Sequence, residues 1–304
     1  MMAIKSLKTD ILIVGAGPAG LTAGIYAARA GKKALILEGS GPSRLGINYK
    51  LENYPGFPSI DSRELLDIIR GQALSFGAEV IAGDAIAFAL DGDRKYVTTK
   101  DAVIESGAVI LAAGKPMPKE RLIGGEARLI GQGVSYCATC DGPLFRGAAV
   151  AAVGHSEHAR EDVGALLEMG CRVLWVPGKA VASADEPDVR ALEQKGVIVR
   201  GEAKIREIRG EDRVEGVLVE GPAGAEVVPV SAVFIFREIP AGPLFERAGI
   251  VLNDKQCVAV DRFQRTNIPG VFAAGDITCG GLQVVAAAGE GCVAAMQALV
   301  YLRK

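Results

Sequence analysis

The chain has 304 residues, with 34 Lys plus Arg against 36 Asp plus Glu for a net charge of −2, and its cations are scattered without a basic tract or interleaved aromatics. That balance argues against a nucleic-acid surface, and the length exceeds one comfortable core, so two compact lobes are expected. No charged-then-apolar leader precedes the first strand, and no apolar run approaches the roughly 20 residues a spanning helix needs, so a cytoplasmic chain without membrane contact is expected.

Six cysteines in a chain of this size point to redox or metal chemistry rather than to the stapling of a small secreted fold. The 39 glycines, set between runs of valine, isoleucine and alanine, suit buried parallel strands that turn tightly into helices, which is an α/β composition.

Residues 9–14 read as a short buried strand ending at Gly15, residues 19–30 as an alanine-rich helix stopped by Gly31, and residues 33–37 as a second strand ending at Glu38. Residues 108–113 read as another buried strand, closing on Ala113 and Gly114. The strand–turn–helix pattern recurs at residues 148–153, with a helix over about 158–169, Gly170 as its stop and a strand at 172–176. A last short strand, 271–274, runs into Gly275-Asp276. The order implies two Rossmann-like, three-layer nucleotide-binding domains, the second inserted into the first. The outer domain is expected over 1–115 and 244–304 and the insert over 116–243.

Gly15-Ala16-Gly17-Pro18-Ala19-Gly20 matches G-x-G-x-x-G between a strand and a helix. Gly15 permits the tight turn, Gly17 lets a pyrophosphate reach the backbone, Gly20 lets helix and strand pack closely, and the helix N-terminus supplies unpaired N–H groups. Glu38, eighteen residues after Gly20 and followed by Gly39, ends the next strand, where a carboxylate accepts adenosine ribose hydroxyls.

Cys137-Ala138-Thr139-Cys140-Asp141 places two cysteines three apart at an expected helix start. Such a pair can close a disulfide, a helix N-terminus lowers thiol pKa, and Asp141 is placed to move protons during exchange. A zinc knuckle needs a second ligand pair that neither His155 nor His158 nor another cysteine pair supplies, and a merely structural pair stays open.

Together, Gly15–Gly20, the segment Glu52-Asn53-Tyr54-Pro55-Gly56-Phe57, the Cys137–Asp141 segment, Gly275-Asp276 and residues 286–295 resemble the low-molecular-weight thioredoxin reductases, nearly end to end and in the family's order. The resemblance implies one tightly bound FAD in the outer domain, with Asp276 on the ribityl chain and with Asn53, Gln283, Val284 and Ala287 around the flavin ring. It also implies a redox cycle from donor to FAD to the Cys137–Cys140 disulfide, a domain rotation that presents the thiols to thioredoxin, and a homodimer.

Several segments depart from that pattern. Gly154-His155-Ser156-Glu157-His158-Ala159 keeps one glycine of the second nucleotide turn, and Trp175-Val176-Pro177-Gly178-Lys179 has no arginine fork for an adenosine 2′-phosphate, only the point charge of Lys179. The insert is therefore expected to have lost NADPH. Ferredoxin, a deazaflavin or a second bound flavin is the alternative donor, by resemblance to family members eroded in the same way. A conventional NADPH enzyme and a flavin-binding regulatory protein without turnover are the rival readings. Ser43-Arg44-Leu45-Gly46-Ile47 and Leu282-Gln283 replace the family's usual flavin contacts, and residues 236–240 replace its usual junction turn. Cys171, Cys257, Cys279 and Cys292 read as small structural residues, and His155 and His158 as surface positions.

Overall fold

The computed structural model describes residues 4–303 except 42, 47–48, 115–121, 178–186, 237–241 and 281. Two compact units emerge, Met1–Met117 with Ile239–Lys304, and Pro118–Glu238.

The first unit opens with β1 (Lys5–Val14), α1 (Pro18–Arg29), β2 (Ala34–Glu38), a small hairpin of β3 (Lys50–Leu51) and β4 (Ile60–Asp61), α2 (Ser62–Ser75), β5 (Glu79–Ala82), β6 (Ala87–Ala89), β7 (Lys95–Thr98) and β8 (Ala102–Leu111). Its helix α1 starts at Pro18, one residue before the expected position. Proline fits there because its fixed φ suits a first helical turn whose N–H has no partner anyway.

Into this unit the second is inserted: α3 (Glu126–Leu129), β9 (Val134–Ser135), α4 (Ala138–Asp141), β10 (Ala149–Val153), α5 (Glu157–Glu168), β11 (Arg172–Val176), α6 (Pro187–Gln194), β12 (Ile198–Val199), β13 (Lys204–Arg209), β14 (Gly216–Gly221), β15 (Gly224–Pro229) and β16 (Ala232–Ile235). The chain then returns through α7 (Gly242–Arg247), β17 (Val271–Ala273) and α8 (Val284–Tyr301) to complete the first unit.

In the first unit the sheet order is β5-β2-β1-β8-β7-β6, with β17 also on β8. Strand β1 lies parallel to β2 and β8, with Val14 opposite Leu37 and Leu111, and Ala273 of β17 opposite Leu111. All four strands therefore end together, and Gly15, Glu38, Ala112 and Ala274 share one carboxyl edge, the place where open α/β sheets bind ligands. Alternation along β1 sends Ile11 and Ile13 into a core with α1, α2 and α8, and Leu12 and Val14 into a core with Leu35, Leu37, Val258 and Ile277. Burying each such side chain contributes about 1.5–3 kcal/mol.

The second unit repeats the plan with a parallel sheet, β12-β11-β10-β16-β9, beside an antiparallel β13-β14-β15 ribbon.

Helix α8 is 18 residues long with a mean hydropathy of 1.5, enough by length and composition alone to cross a membrane. Its small face packs on α1, where a Cβ at Gly291 would lie 2.1 Å from the Ala19 carbonyl oxygen, so this is a core helix.

Candidate active site

Three glycines of the first turn do different work. Gly15 has φ +119°, and a Cβ there would sit 2.1 Å from the Ala112 carbonyl oxygen; a Cβ at Gly20 would sit 1.9 Å from the Gly15 oxygen. Those two are required by the protein's own packing. Gly17 is not: its backbone is extended at φ −81°, ψ −175°, and the nearest atom to a built Cβ is Ser43 Oγ at 3.9 Å. As N-cap of α1 it offers no side-chain acceptor, so the N–H groups of Ala19 and Gly20, ahead of the Leu21 N–H that bonds the Gly17 carbonyl, face an open cradle. An anionic pyrophosphate fits that cradle in both shape and charge sign.

At the end of β2, Glu38 is held by the guanidinium of Arg70 from α2, with Nη1 3.1 Å from Oε2 and Nη2 on Oε1. The carboxylate expected to take ribose hydroxyls is thus already engaged, yet its oxygens offer about four lone-pair sites and retain acceptors for a diol. Arg70 carries no motif and lies 32 residues away, so sequence reading missed it. Next to Gly39, the Ser40 N–H donates to Asp84 Oδ1 at 2.8 Å and holds that carboxyl below its usual range.

Ala113 and Gly114, the latter at φ +63°, follow β8 at the same edge. Gly275, at φ +80°, follows β17 and leads into a 3₁₀ turn, Asp276–Thr278. The Gly275 N–H and the Thr278 hydroxyl donate to Glu290 Oε2 at 2.6 and 3.1 Å. Burial pushes the Glu290 carboxyl up, against the pull of those two hydrogen bonds. This residue was also missed, although a lone carboxylate in an apolar helix was the available signal. Asn53 Nδ2 donates to Gln283 Oε1 at 3.3 Å, which brings together two residues expected at the flavin ring. Gln283 sits at the N-cap position of α8 without a side-chain capping bond, and the first turn carries Val284 and Ala287. Ile47, Gly178, Lys179 and residues 237–240 of the departing segments lie outside the described residues, as does the expected boundary at Lys115.

In the second unit Cys137 and Cys140 form a disulfide with Cα atoms 5.4 Å apart. Cys137 is the N-cap of α4, and the Cys140 N–H donates to its Sγ at 3.1 Å. The helix has only four residues, so its macrodipole is slight; that directed N–H, with Thr139 Oγ1 at 3.4 Å, is what would steady a Cys137 thiolate.

Asp141 Oδ2 accepts from Ser135 Oγ at 2.6 Å, and Ser135 Oγ itself accepts the Cys137 N–H at 3.1 Å. Burial raises the Asp141 pKa, opposed by the Ser135 hydrogen bond, which suits a carboxyl that delivers a proton. Just upstream, Tyr136 donates its hydroxyl to the fully buried Glu126 at 2.8 Å.

The remaining cysteines divide. Cys171 is buried with its thiol pKa raised by desolvation, and Cys292 is half-buried. Cys257 and Cys279 are not separate structural residues: they form a second disulfide, Cα to Cα 5.9 Å, across 22 positions. Spacing that wide carries no motif, so only the folded chain reveals it.

An open glycine turn at a Rossmann edge and a Cys-x-x-Cys cystine beside a buried carboxyl are features of a flavin-dependent disulfide oxidoreductase. Residues 9–291 match the family described as Pyridine nucleotide-disulphide oxidoreductase. The chain is 36% identical over 294 residues to the thioredoxin reductase of Aquifex aeolicus, covering 94% of this chain and 91% of that one. Among solved structures, thioredoxin reductase from Streptococcus pyogenes matches with a TM-score of 0.84 at 31% identity, covering 97% of this chain and 98% of that one. A Ferredoxin-Flavin Thioredoxin Reductase from Clostridium acetobutylicum matches with a TM-score of 0.53 at 30% identity, covering 98% and 99%. The chain belongs to the thioredoxin reductase family, whose members bind FAD.

Proposed function

We propose that this chain reduces the disulfide of a thioredoxin-type protein through FAD and the Cys137–Cys140 pair, and that its electron donor is not NADPH. The observation supporting the donor assignment is a contrast between two otherwise equivalent turns. Gly154, at φ +139°, meets the same packing demand as Gly15, since a Cβ there would lie 2.4 Å from the Phe236 carbonyl oxygen. Two residues on, where the first turn has Gly17, stands Ser156. Its Oγ accepts the Ala159 N–H at 3.1 Å and caps α5. The N–H that a pyrophosphate would take is therefore already satisfied by the protein. Giving up such a cap costs about 1 kcal/mol. The next residue in the chain, Glu157, adds a like charge, and the missing arginine fork removes bonds of about 1.5–3 kcal/mol each.

When bound, FAD accepts electrons from the donor and passes a pair to a disulfide. The chain's own residues do the rest. The Gly17 cradle holds the pyrophosphate, Glu38 the ribose, and Asp276, Asn53, Gln283, Val284 and Ala287 the remainder of the cofactor. One thiol of the 137/140 pair attacks the partner's disulfide, the other resolves the mixed disulfide, and Asp141 delivers and recovers the proton. The chain acts as a homodimer in this reading. Ferredoxin is favoured as donor by the name of the Clostridium acetobutylicum neighbour, with a reduced deazaflavin or a second flavin in the insert as alternatives. The conventional NADPH reading rests on the Aquifex aeolicus relative's unqualified name.

The deciding experiment is anaerobic disulfide reduction supplied in turn with NADPH, NADH, reduced ferredoxin and reduced deazaflavin. Turnover with ferredoxin or deazaflavin and not with NADPH is expected. Full turnover on micromolar NADPH overturns the donor assignment and leaves the disulfide chemistry intact.

A further inference from the structure

We propose that Cys257–Cys279 is a second thiol–disulfide exchange site of this chain, reduced by a protein dithiol and acting on the Gly275–Asp276 turn. Three observations converge on it. Cys279 is partly exposed, ends the Asp276–Thr278 turn in the left-handed region at φ +60° and precedes the exposed Gly280, whereas Cys257 is 2% exposed. An incoming thiolate therefore has one sulfur to attack, Cys279 Sγ, with Cys257 as the leaving group.

Both oxidation states are also accommodated. The segments that carry the two cysteines are fastened independently, by the Val258 N–H to the Ile277 carbonyl at 2.9 Å and by the Asn253 side chain accepting the Cys257 N–H at 3.0 Å. The Lys255 carbonyl oxygen lies 3.3 Å from Cys257 Sγ, placed to accept a hydrogen from the thiol that reduction creates. A bond whose loss leaves its surroundings docked and provides a partner for the released thiol is suited to cycling. Finally, Glu290 accepts from Gly275 and Thr278 on the turn's other side, so reduction leaves the turn to Glu290 and the Val258–Ile277 hydrogen bond and removes its one covalent tie among the described contacts.

The chemistry balances with the product of the chain's own proposed reaction. A thiolate of a reduced thioredoxin-type dithiol bonds to Cys279 Sγ and breaks the 257–279 bond; the Cys257 thiolate takes up a proton. The partner's second thiol then attacks the mixed disulfide and releases Cys279 as a thiol. Two electrons and two protons arrive on the cystine, and the dithiol leaves as a disulfide. Placing the turn against FAD rests on the reading in the preceding subsection; the exchange itself does not.

The test uses the full chain carrying Cys137→Ser and Cys140→Ser, equilibrated with chemically reduced thioredoxin and then alkylated under denaturing conditions for mass analysis. Before exposure, the free thiols are Cys171 and Cys292. Four labelled cysteines afterwards, with Cys257 and Cys279 the new ones, are expected, together with faster loss of FAD on desalting. Labelling that stays at two, or that finds Cys257 and Cys279 already free in the oxidised protein, overturns the exchange site. Four labels with unchanged FAD retention overturn its action on the turn. Neither readout requires a donor or turnover, so failure here is distinct from failure of the proposed reductase cycle.

Discussion

Replacing Gly17 with valine separates a cofactor role from a packing role. The backbone at Gly17 is extended and allowed to any residue, and the nearest protein atom to a new Cβ is 3.9 Å away, so the fold has room for the side chain. The stability change is expected within about 0.5 kcal/mol, as for surface substitutions free of strain. The cradle, however, is filled. Losing one charge-assisted contact to the pyrophosphate costs about 1.5–3 kcal/mol, roughly ten- to a hundredfold or more in affinity. Gly20→Ala is the control, because its Cβ would lie 1.9 Å from the Gly15 oxygen and overpacking costs about 1–3 kcal/mol or more. Flavin absorbance per protein after desalting, with circular-dichroism melts on the same samples, reads both effects. Gly17→Val should be colourless with a melt matching that of the FAD-stripped parent protein, and Gly20→Ala should melt lower than that. A fully yellow Gly17→Val protein, or one colourless only because it is unfolded, refutes the reasoning.

Three further outcomes are expected. Cys137→Ser should abolish turnover or trap a mixed disulfide while FAD stays bound, and undiminished disulfide reduction in the double Ser variant contradicts the assignment. Asp141, with its pKa raised by burial, is protonated to higher pH than a free aspartate; the carboxyl therefore favours the folded state at low pH, and that contribution is lost as pH rises through its raised pKa. Thiol exchange should fall over the same window, and Asp141→Asn should be slow with that basic limb gone; an unchanged pH–rate profile counts against it. Light scattering at micromolar concentration should report a dimer, and a monomer throughout contradicts the proposed assembly.

What the sequence disclosed depended on how local the chemistry is. The Gly15–Gly20 turn and the Cys137–Cys140 pair each lie within six residues, so composition and spacing exposed them. The strand ends at Val14 and Leu37 were readable because buried parallel strands are continuous apolar runs that stop at glycine or a carboxylate, whereas the strand expected over 108–113 runs Ala102–Leu111. Arg70 on Glu38, Ser135 on Asp141 and Glu290 under Gly275 were not, since each is a single polar residue whose partner is set by helix and strand placement. The Cys257–Cys279 bond was hidden for the same reason.

The most direct measurement is a single-turnover transfer. The FAD-loaded protein is given limiting dithionite anaerobically, quenched, and alkylated, with flavin colour and the Cys137 and Cys140 labels followed together. Yellow colour returning as both cysteines become labelled is the expected result; flavin that stays bleached over an intact Cys137–Cys140 disulfide contradicts the account.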